Sequence, residues 1–446
     1  MKEQTGFARI LWPSCVAMLS VGANSTGIMA ALPTMKTELL LSAAGVQWAV
    51  NVYLVVSAAC VVLGGRAADR FGARAASIAG LTMFGIASCI IALSVSGTML
   101  LAGRALQGLG AALAVPSTLA AIGTGALPER RTSAIGAWTG FLMLGFSIGP
   151  LLGGVLTHVT GWRAIFWCIA VLILIAIAGL ASAGTMAGPA VQSRRTDWRG
   201  FALLAMLMVS LVFALHLVPN ALTAPLPVVG TLVLAVSAFL LLMSVERRSE
   251  APLVDLNFFA RRSFVMGIAV GSLAMFSIMG LLLYFNLYAQ SREGLGLTPL
   301  EAGAALLPLS AALLGFALSA SATAARLGLG NAMTVGMALV AIGSAILGAA
   351  IAGGGMFLLA IGFFMMGTGL AVPYALAPRL ALSALSPAQA GQGSGIVNAC
   401  TFLGGSCGVA GGAIATALGG FGAVLAMLAL AGILGAVLSR GILEKG

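Results

Sequence analysis

The sequence predicts an all-α membrane protein of about fourteen transmembrane helices, built as two six-helix pseudo-repeats with a helix pair inserted between them. Composition, the number of bilayer-length apolar runs and an internal duplication carry that expectation. Hydrophobic residues fill 60% of the 446 positions and charged residues only 7%, whereas soluble domains carry about 25% charged residues. A water-soluble fold is excluded. The formal charge of +11 must then be explained by where the basic residues fall.

A spanning helix needs about 20 mostly apolar residues. Such runs occupy 10–32, 44–64, 77–96, 98–121, 134–157, 163–183, 201–219, 226–244, 265–289, 302–322, 332–353, 356–377, 393–417 and 421–439. The first follows Lys2 and Arg9 but outruns a signal peptide and lacks a small-residue cleavage site, so it is expected to stay in the mature chain. Basic residues then fall on alternate loops. One side holds Arg66, Arg70 and Arg74; Arg130 and Arg131; Arg194, Arg195 and Arg199; Arg247, Arg248, Arg261 and Arg262; Arg326; and Arg379, with Arg440 and Lys445 after the last run. The other side holds only Lys36, Arg163 and Arg292. Basic loops mark the cytoplasmic face, which predicts a multi-pass protein of a bacterial-type cytoplasmic (inner) membrane with both termini cytoplasmic. The charge is an orientation signal: lipid is the expected surrounding, no nucleic acid is expected, and the chain is read as a monomer.

The duplication appears in "GAALAVPSTLA" from Gly110 and "GTGLAVPYALA" from Gly367, identical at seven of eleven positions. At the same offset "AAD" ending at Asp69 meets "AAR" ending at Arg326. The expected division is an N-terminal six-helix half at 1–183, an inserted helix pair with cytoplasmic linkers at 184–260, and a C-terminal half at 261–446. Parallel six-helix repeats are an architecture of secondary transporters.

Reactive chemistry is sparse. Cys15, Cys60, Cys89, Cys168, Cys400 and Cys407 all lie in apolar runs without CxxC or His-linked spacing, so they read as small buried residues and neither a metal nor a disulfide is expected. No nucleophile–base pair stands out, and the glycine cluster in "RLGLGN" lacks the Lys-Ser/Thr of a phosphate loop. An enzyme and a cofactor are not expected; a small-molecule ligand is.

Three motifs remain. "GGRAADRFGARAA" from Gly64 sets Asp69 among Arg66, Arg70 and Arg74, with Gly65 and Gly72 suited to a tight turn. "RALQGLGAALAVP" puts Arg104 inside an apolar run with Gln107 one turn on; intramembrane charges usually face a cavity or a partner. "GFSIGPLLGG" spaces Gly145, Gly149 and Gly153 four apart, with Pro150 and Gly154 alongside, a surface for close helix packing and a bend. With "GWRAIFW", "DWRG", "APLVDLNFF" and "AGQGSGIVNACTFLGGSCGVA", these motifs resemble the major facilitator superfamily, in particular its fourteen-helix drug:proton antiporter branch, over nearly the whole chain.

That resemblance implies export of amphipathic compounds by alternating access with proton coupling. It implies gating by the Asp69 loop (Gly65, Asp69, Arg70, Gly72, Arg74) and by the glycine-rich helix, and a place for Arg104 in the substrate or proton path. It also implies an acid nine residues before Pro33, followed by a threonine. Thr26 is there, but the acid is Asn24, which cannot take up or release a proton near pH 7. The eleven acids all fall in loops, tails or helix ends, which leaves Asp69, Glu301 and His216, with Arg104, as proton-coupling candidates. A cavity holding Arg104 and no acid disfavours cations and suits neutral or anionic amphipaths. The aromatic and amide residues Trp48, Asn51, Tyr53, Tyr284, Asn286, Tyr288, Gln290, Tyr374, Asn398 and Phe402 are expected in its walls with Asn24, Thr26 and Gln107. The alternative is an uncoupled facilitator or importer of an anionic metabolite held by Arg104.

Overall fold

Lipid offers no hydrogen bonds to a backbone, so a chain this apolar satisfies its peptide groups internally as helices. The computed structural model describes residues 2–125, 128–183, 198–218, 225–249, 254–386 and 389–441. Most of the expected linker after residue 183, with Arg194 and Arg195, and the tail residue Lys445 lie outside them.

Two compact units divide the chain, Met1–Thr196 and Asp197–Gly446. The first contains α1 (Lys2–Glu38), α2 (Ala43–Phe71), α3 (Ala73–Ala92), α4 (Gly97–Gly125), α5 (Pro128–Val159) and α6 (Arg163–Ser182). Here α1 lies along α5 and also meets α6 and α4, while α4 packs on α2 and α3, and α3 on α6. The second unit holds α7 (Trp198–Leu217), α8 (Pro225–Arg248), α9 (Arg262–Ala289), the short α10 (Pro299–Ala305), α11 (Leu307–Leu327), α12 (Leu329–Ala349), α13 (Gly355–Ser383) and α14 (Ala390–Arg440). Its pairings are α9 with α14 and α13, α12 with α13 and α14, and α11 with α13. The hairpin of α7 and α8 is attached through α7 on α14, and α8 turns Val229, Val233, Val236 and Leu240 outward.

Twelve helices among the described residues are long and apolar enough to cross a membrane, against about fourteen expected. The difference lies in two of them, Leu329–Ser383 with 55 residues and Gly391–Arg440 with 50. Each contains a break near an expected boundary: Gly353 has φ +116°, and Gly419 and Gly420 leave helical geometry inside α14. The two parts of α14 also have different neighbours. A side chain at Gly408 would strike Phe276 of α9, and one at Gly432 would meet Ala341 of α12.

The expected loop after residue 64 is largely helix. Its alanines are good helix formers, so α2 continues to Phe71 and the turn narrows to Gly72, whose φ of +87° suits glycine. Gly65 lies inside α2 with open space around it and takes no part in the turn. All six cysteines are free, Cys15 buried and the other five half-buried.

Candidate functional site

Successive side chains leave a helix about 100° apart, so Asn24, Ser25 and Thr26 of α1 point in three directions. All three are buried, and each meets a different helix. Asn24 Oδ1 accepts from Gln107 Nε2 of α4 at 3.1 Å. Ser25 Oγ lies 3.4 Å from Tyr53 Oη of α2 and donates to Val21 O at 2.8 Å. Thr26 Oγ1 donates to Phe146 O of α5 at 3.1 Å. The polar triplet thus ties the first helix to three neighbours inside an apolar bundle.

Arg104, with 0% of its surface exposed, stands at the head of the α4 branch. Its Nε donates to Ala49 O at 2.8 Å and its Nη1 to Gln107 Oε1 at 2.7 Å. The guanidinium lies 4.4 Å from the centre of the Tyr53 ring, a cation–π geometry. Gln107 Nε2 also donates to Ser88 Oγ of α3 at 2.8 Å, so four helices share one hydrogen-bonded chain. Its polarity follows from chemistry. Arginine only donates, so Gln107 turns its oxygen to Arg104 and its nitrogen to Asn24, and Asn24 must answer with its oxygen. Two donors are left over: neither Arg104 Nη2 nor Asn24 Nδ2 has a hydrogen-bond acceptor in the protein.

No described carboxylate compensates the charge. Glu38, Asp69, Glu246, Asp255, Glu293 and Glu301 stand at helix ends or between helices, and the ion pair present among the described residues joins Glu38 to Arg163 at 2.8 Å. Glu301 is exposed and occupied in a capping box with Thr298 at the start of α10. His216 is half-buried in the last turn of α7, in the peripheral hairpin.

Thr26, expected in a ligand wall, is bonded to α5. Pro150 lacks the N–H that would bond the carbonyl four residues earlier in the helix; that carbonyl is Phe146 O, which accepts from Thr26 Oγ1. The glycine stripe serves the same interface. A Cβ at Gly145 would fall on Leu19 O, one at Gly149 on Thr26 Oγ1, and one at Gly153 on Gly27 O. A second stripe went unread in the sequence: Cβ atoms at Gly404 and Gly408 of α14 would strike Ser272 and Phe276 of α9. Its signal was the same interval of four.

In the Asp69 motif, two expected partners turn elsewhere. Arg70 lies over the Phe71 ring at 5.3 Å, and Arg74 bonds the last turn of α6, Leu180 O at 2.7 Å and Ala181 O at 2.5 Å. Asp69 is exposed.

The remaining expected wall residues divide between the units. In the first, Asn51 is buried and Trp48 half-buried on α2. In the second, Tyr284 Oη donates to Val409 O at 2.7 Å, Asn286 Nδ2 to Leu282 O at 2.8 Å, and Gln290 Nε2 to Asn286 Oδ1 at 3.3 Å. Tyr288 stacks on Phe421 at 4.9 Å, Asn398 Nδ2 donates to Ser394 O at 3.0 Å, and Tyr374 and Phe402 are half-buried. At the repeat offset, the positions of Arg104 and Gln107 correspond to Ile361 and Phe364, so the polar chain has no counterpart on α13.

Comparison with known proteins agrees with this architecture. The family description "Major Facilitator Superfamily" matches residues 14–409. The chain is 32% identical over 405 residues to the tetracenomycin C resistance and export protein of Streptomyces glaucescens, covering 90% of this chain and 74% of that one. It is 32% identical over 342 residues to the methylenomycin A resistance protein of Bacillus subtilis, covering 76% and 72%. The fold is shared with a POT family transporter solved with 5-aminolevulinic acid, at a TM-score of 0.71 and 16% identity over 98% of this chain and 95% of that one. A chain whose described elements are all helices, matched by the family description over most of its length and with resistance and export proteins among its relatives, belongs to the major facilitator superfamily.

Proposed function

We propose that the chain is a secondary transporter that exports neutral or anionic amphipathic organic compounds, a drug-efflux protein working by alternating access. The observation that carries the substrate preference is Arg104, a fully buried cation bonded to Ala49 O and Gln107 and to no acid. An uncompensated positive charge in a low-dielectric interior repels a cationic drug and tolerates a neutral or anionic one. The resistance and export relatives support the direction of transport.

Fourteen crossings are part of the proposal. A 50-residue helix would be about 75 Å long, far more than the roughly 30 Å of a hydrocarbon core. Breaks at Gly353 and at Gly419–Gly420 support two crossings in each long element. The pairings α1–α5, α2–α4 and α3–α4 in the first unit resemble α9–α14, α11–α13 and α12–α13 in the second, which supports six-helix halves at 1–183 and 261–446 that rock against each other. The hairpin of α7 and α8 is then peripheral. The protein is a monomer of the inner membrane with cytoplasmic termini, a transporter and not an enzyme.

Proton exchange drives export in this reading, through a group among the candidates Asp69, Glu301, His216 and Arg104. Asn24 favours a second reading, transport of the same compounds down their own gradient without protons. Inverted membrane vesicles with an acid interior test both. Collapse of the pH gradient on adding neutral or anionic amphipaths supports the antiporter; uptake of labelled compound without collapse supports the uncoupled carrier. Transport of cations alone would overturn the proposed substrate class.

A further inference from the structure

The chain of Ser88, Gln107, Asn24 and Arg104 carries one positive charge and a surplus of donors. Both of its unpaired atoms, Arg104 Nη2 and Asn24 Nδ2, are N–H groups on side chains with 0% exposure. Unpaired buried donors are costly, and those of a charged group most of all. An acid at position 24 would neutralise the arginine and offer a second acceptor oxygen. Asn24 does neither.

A ligand that completes this site must therefore bring acceptors and one negative charge. A cation adds to the charge already there, and a neutral amide brings an acceptor without the charge. A divalent oxyanion leaves one charge uncompensated. A halide is a single centre, whereas a carboxylate offers two acceptor oxygens and makes a charge-assisted hydrogen bond to a guanidinium.

We propose that this chain is a receptor for one carboxylate carried by the transported compound, taken up by Arg104 Nη2 on the hydrogen-bonded chain that also leaves Asn24 Nδ2 unpaired, where an acid of the protein would otherwise stand. The proposal rests on the exporter reading and narrows its substrates to monocarboxylates. Because Ile361 and Phe364 occupy the corresponding positions on α13, it also fixes one carboxylate per chain.

Thermal unfolding of the purified full chain in detergent, with benzoate and its neutral isostere benzamide as probes, tests this. Benzoate should raise the midpoint along a one-site saturation curve and benzamide should not. Asn24→Asp, a near-isosteric change, should weaken benzoate binding about tenfold or more, and Arg104→Gln should abolish it. Equal stabilisation by benzamide, or an undiminished benzoate response in Asn24→Asp, would overturn the proposal. Titrations in gluconate and in chloride separate the two sources of anion: a chloride response to which benzoate adds nothing would also overturn it. Export of neutral and anionic amphipaths by inverted vesicles, measured in parallel, tells the two readings apart. Export without a benzoate response sinks the carboxylate site alone, and a benzoate response without export of any compound sinks the exporter.

Discussion

Replacing Thr26 by valine keeps the branched shape of the side chain and removes one hydroxyl. In α5 the carbonyl of Phe146 lacks the donor that Pro150 would have supplied as any other residue, and Thr26 Oγ1 stands in at 3.1 Å from a fully buried position. A hydrogen bond contributes about 0.5–1.5 kcal/mol in soluble proteins, while interhelical hydrogen bonds in membranes average about 0.6 kcal/mol. Thr26→Val should therefore destabilise the chain by about 1 kcal/mol. A loss of that size could also come from packing, and a double-mutant cycle separates the two. Pro150→Ala restores an N–H within reach of Phe146 O, so in that background Thr26→Val should cost at least about 0.5 kcal/mol less. Equilibrium unfolding of the four purified proteins in mixed micelles gives the coupling. An equal cost of Thr26→Val in both backgrounds would show that the hydroxyl does not serve the carbonyl freed by proline.

Gly149→Ala would drive a methyl group into Thr26 Oγ1 and within 3.0 Å of Ala23 O, so it should cost about 1–3 kcal/mol, whereas Gly136→Ala on the same helix meets open space and should raise stability by up to about 1 kcal/mol. Thermal unfolding reads both. Asn24→Asp supplies an ionisable group beside Gln107, and should create or strengthen collapse of the pH gradient in inverted vesicles and shift transport toward cationic compounds. Unchanged transport of cationic and neutral compounds would remove Asn24 from the substrate path. Glu38→Gln breaks an ion pair whose side chains are 44% and 41% exposed, so its effect on unfolding should stay below about 1 kcal/mol.

Much of the architecture was legible because lipid imposes so few options. Apolar runs became helices, and the glycine pair expected to separate the last two runs is where α14 leaves helical geometry. Boundaries were harder. Hydropathy marks where a chain enters lipid, and α2 runs a further turn and more into polar sequence because nothing before Gly72 stops it. The buried polar residues were legible one by one: polar groups in an apolar run stand out, as Asn24, Thr26, Arg104 and Gln107 did. Their partnerships were not. That Gln107 joins α1, α3 and α4 depends on helix rotation and crossing, which no spacing records, and Ser88 is one serine among many until the fold sets its hydroxyl against Gln107. Thr26 shows a partnership of another kind. Its position matched a motif, while its bond answers a proline 124 residues away on α5.

The placement of Arg104 and Gln107 on α4, with Ile361 and Phe364 at the corresponding positions of α13, bears on how such a chain diverges after duplication. Two copies of one helical plan need not share the labour. The copy with the buried arginine can drift only along paths that keep its bonds to Ala49 and Gln107, because a buried charge stripped of partners is not tolerated. The other copy answers only to shape and volume, and hydrophobic exchanges of similar size are absorbed easily. A complete map of tolerated substitutions should therefore be lopsided, strict around α4 and permissive around α13, although both helices keep the same seven residues of the ancestral segment.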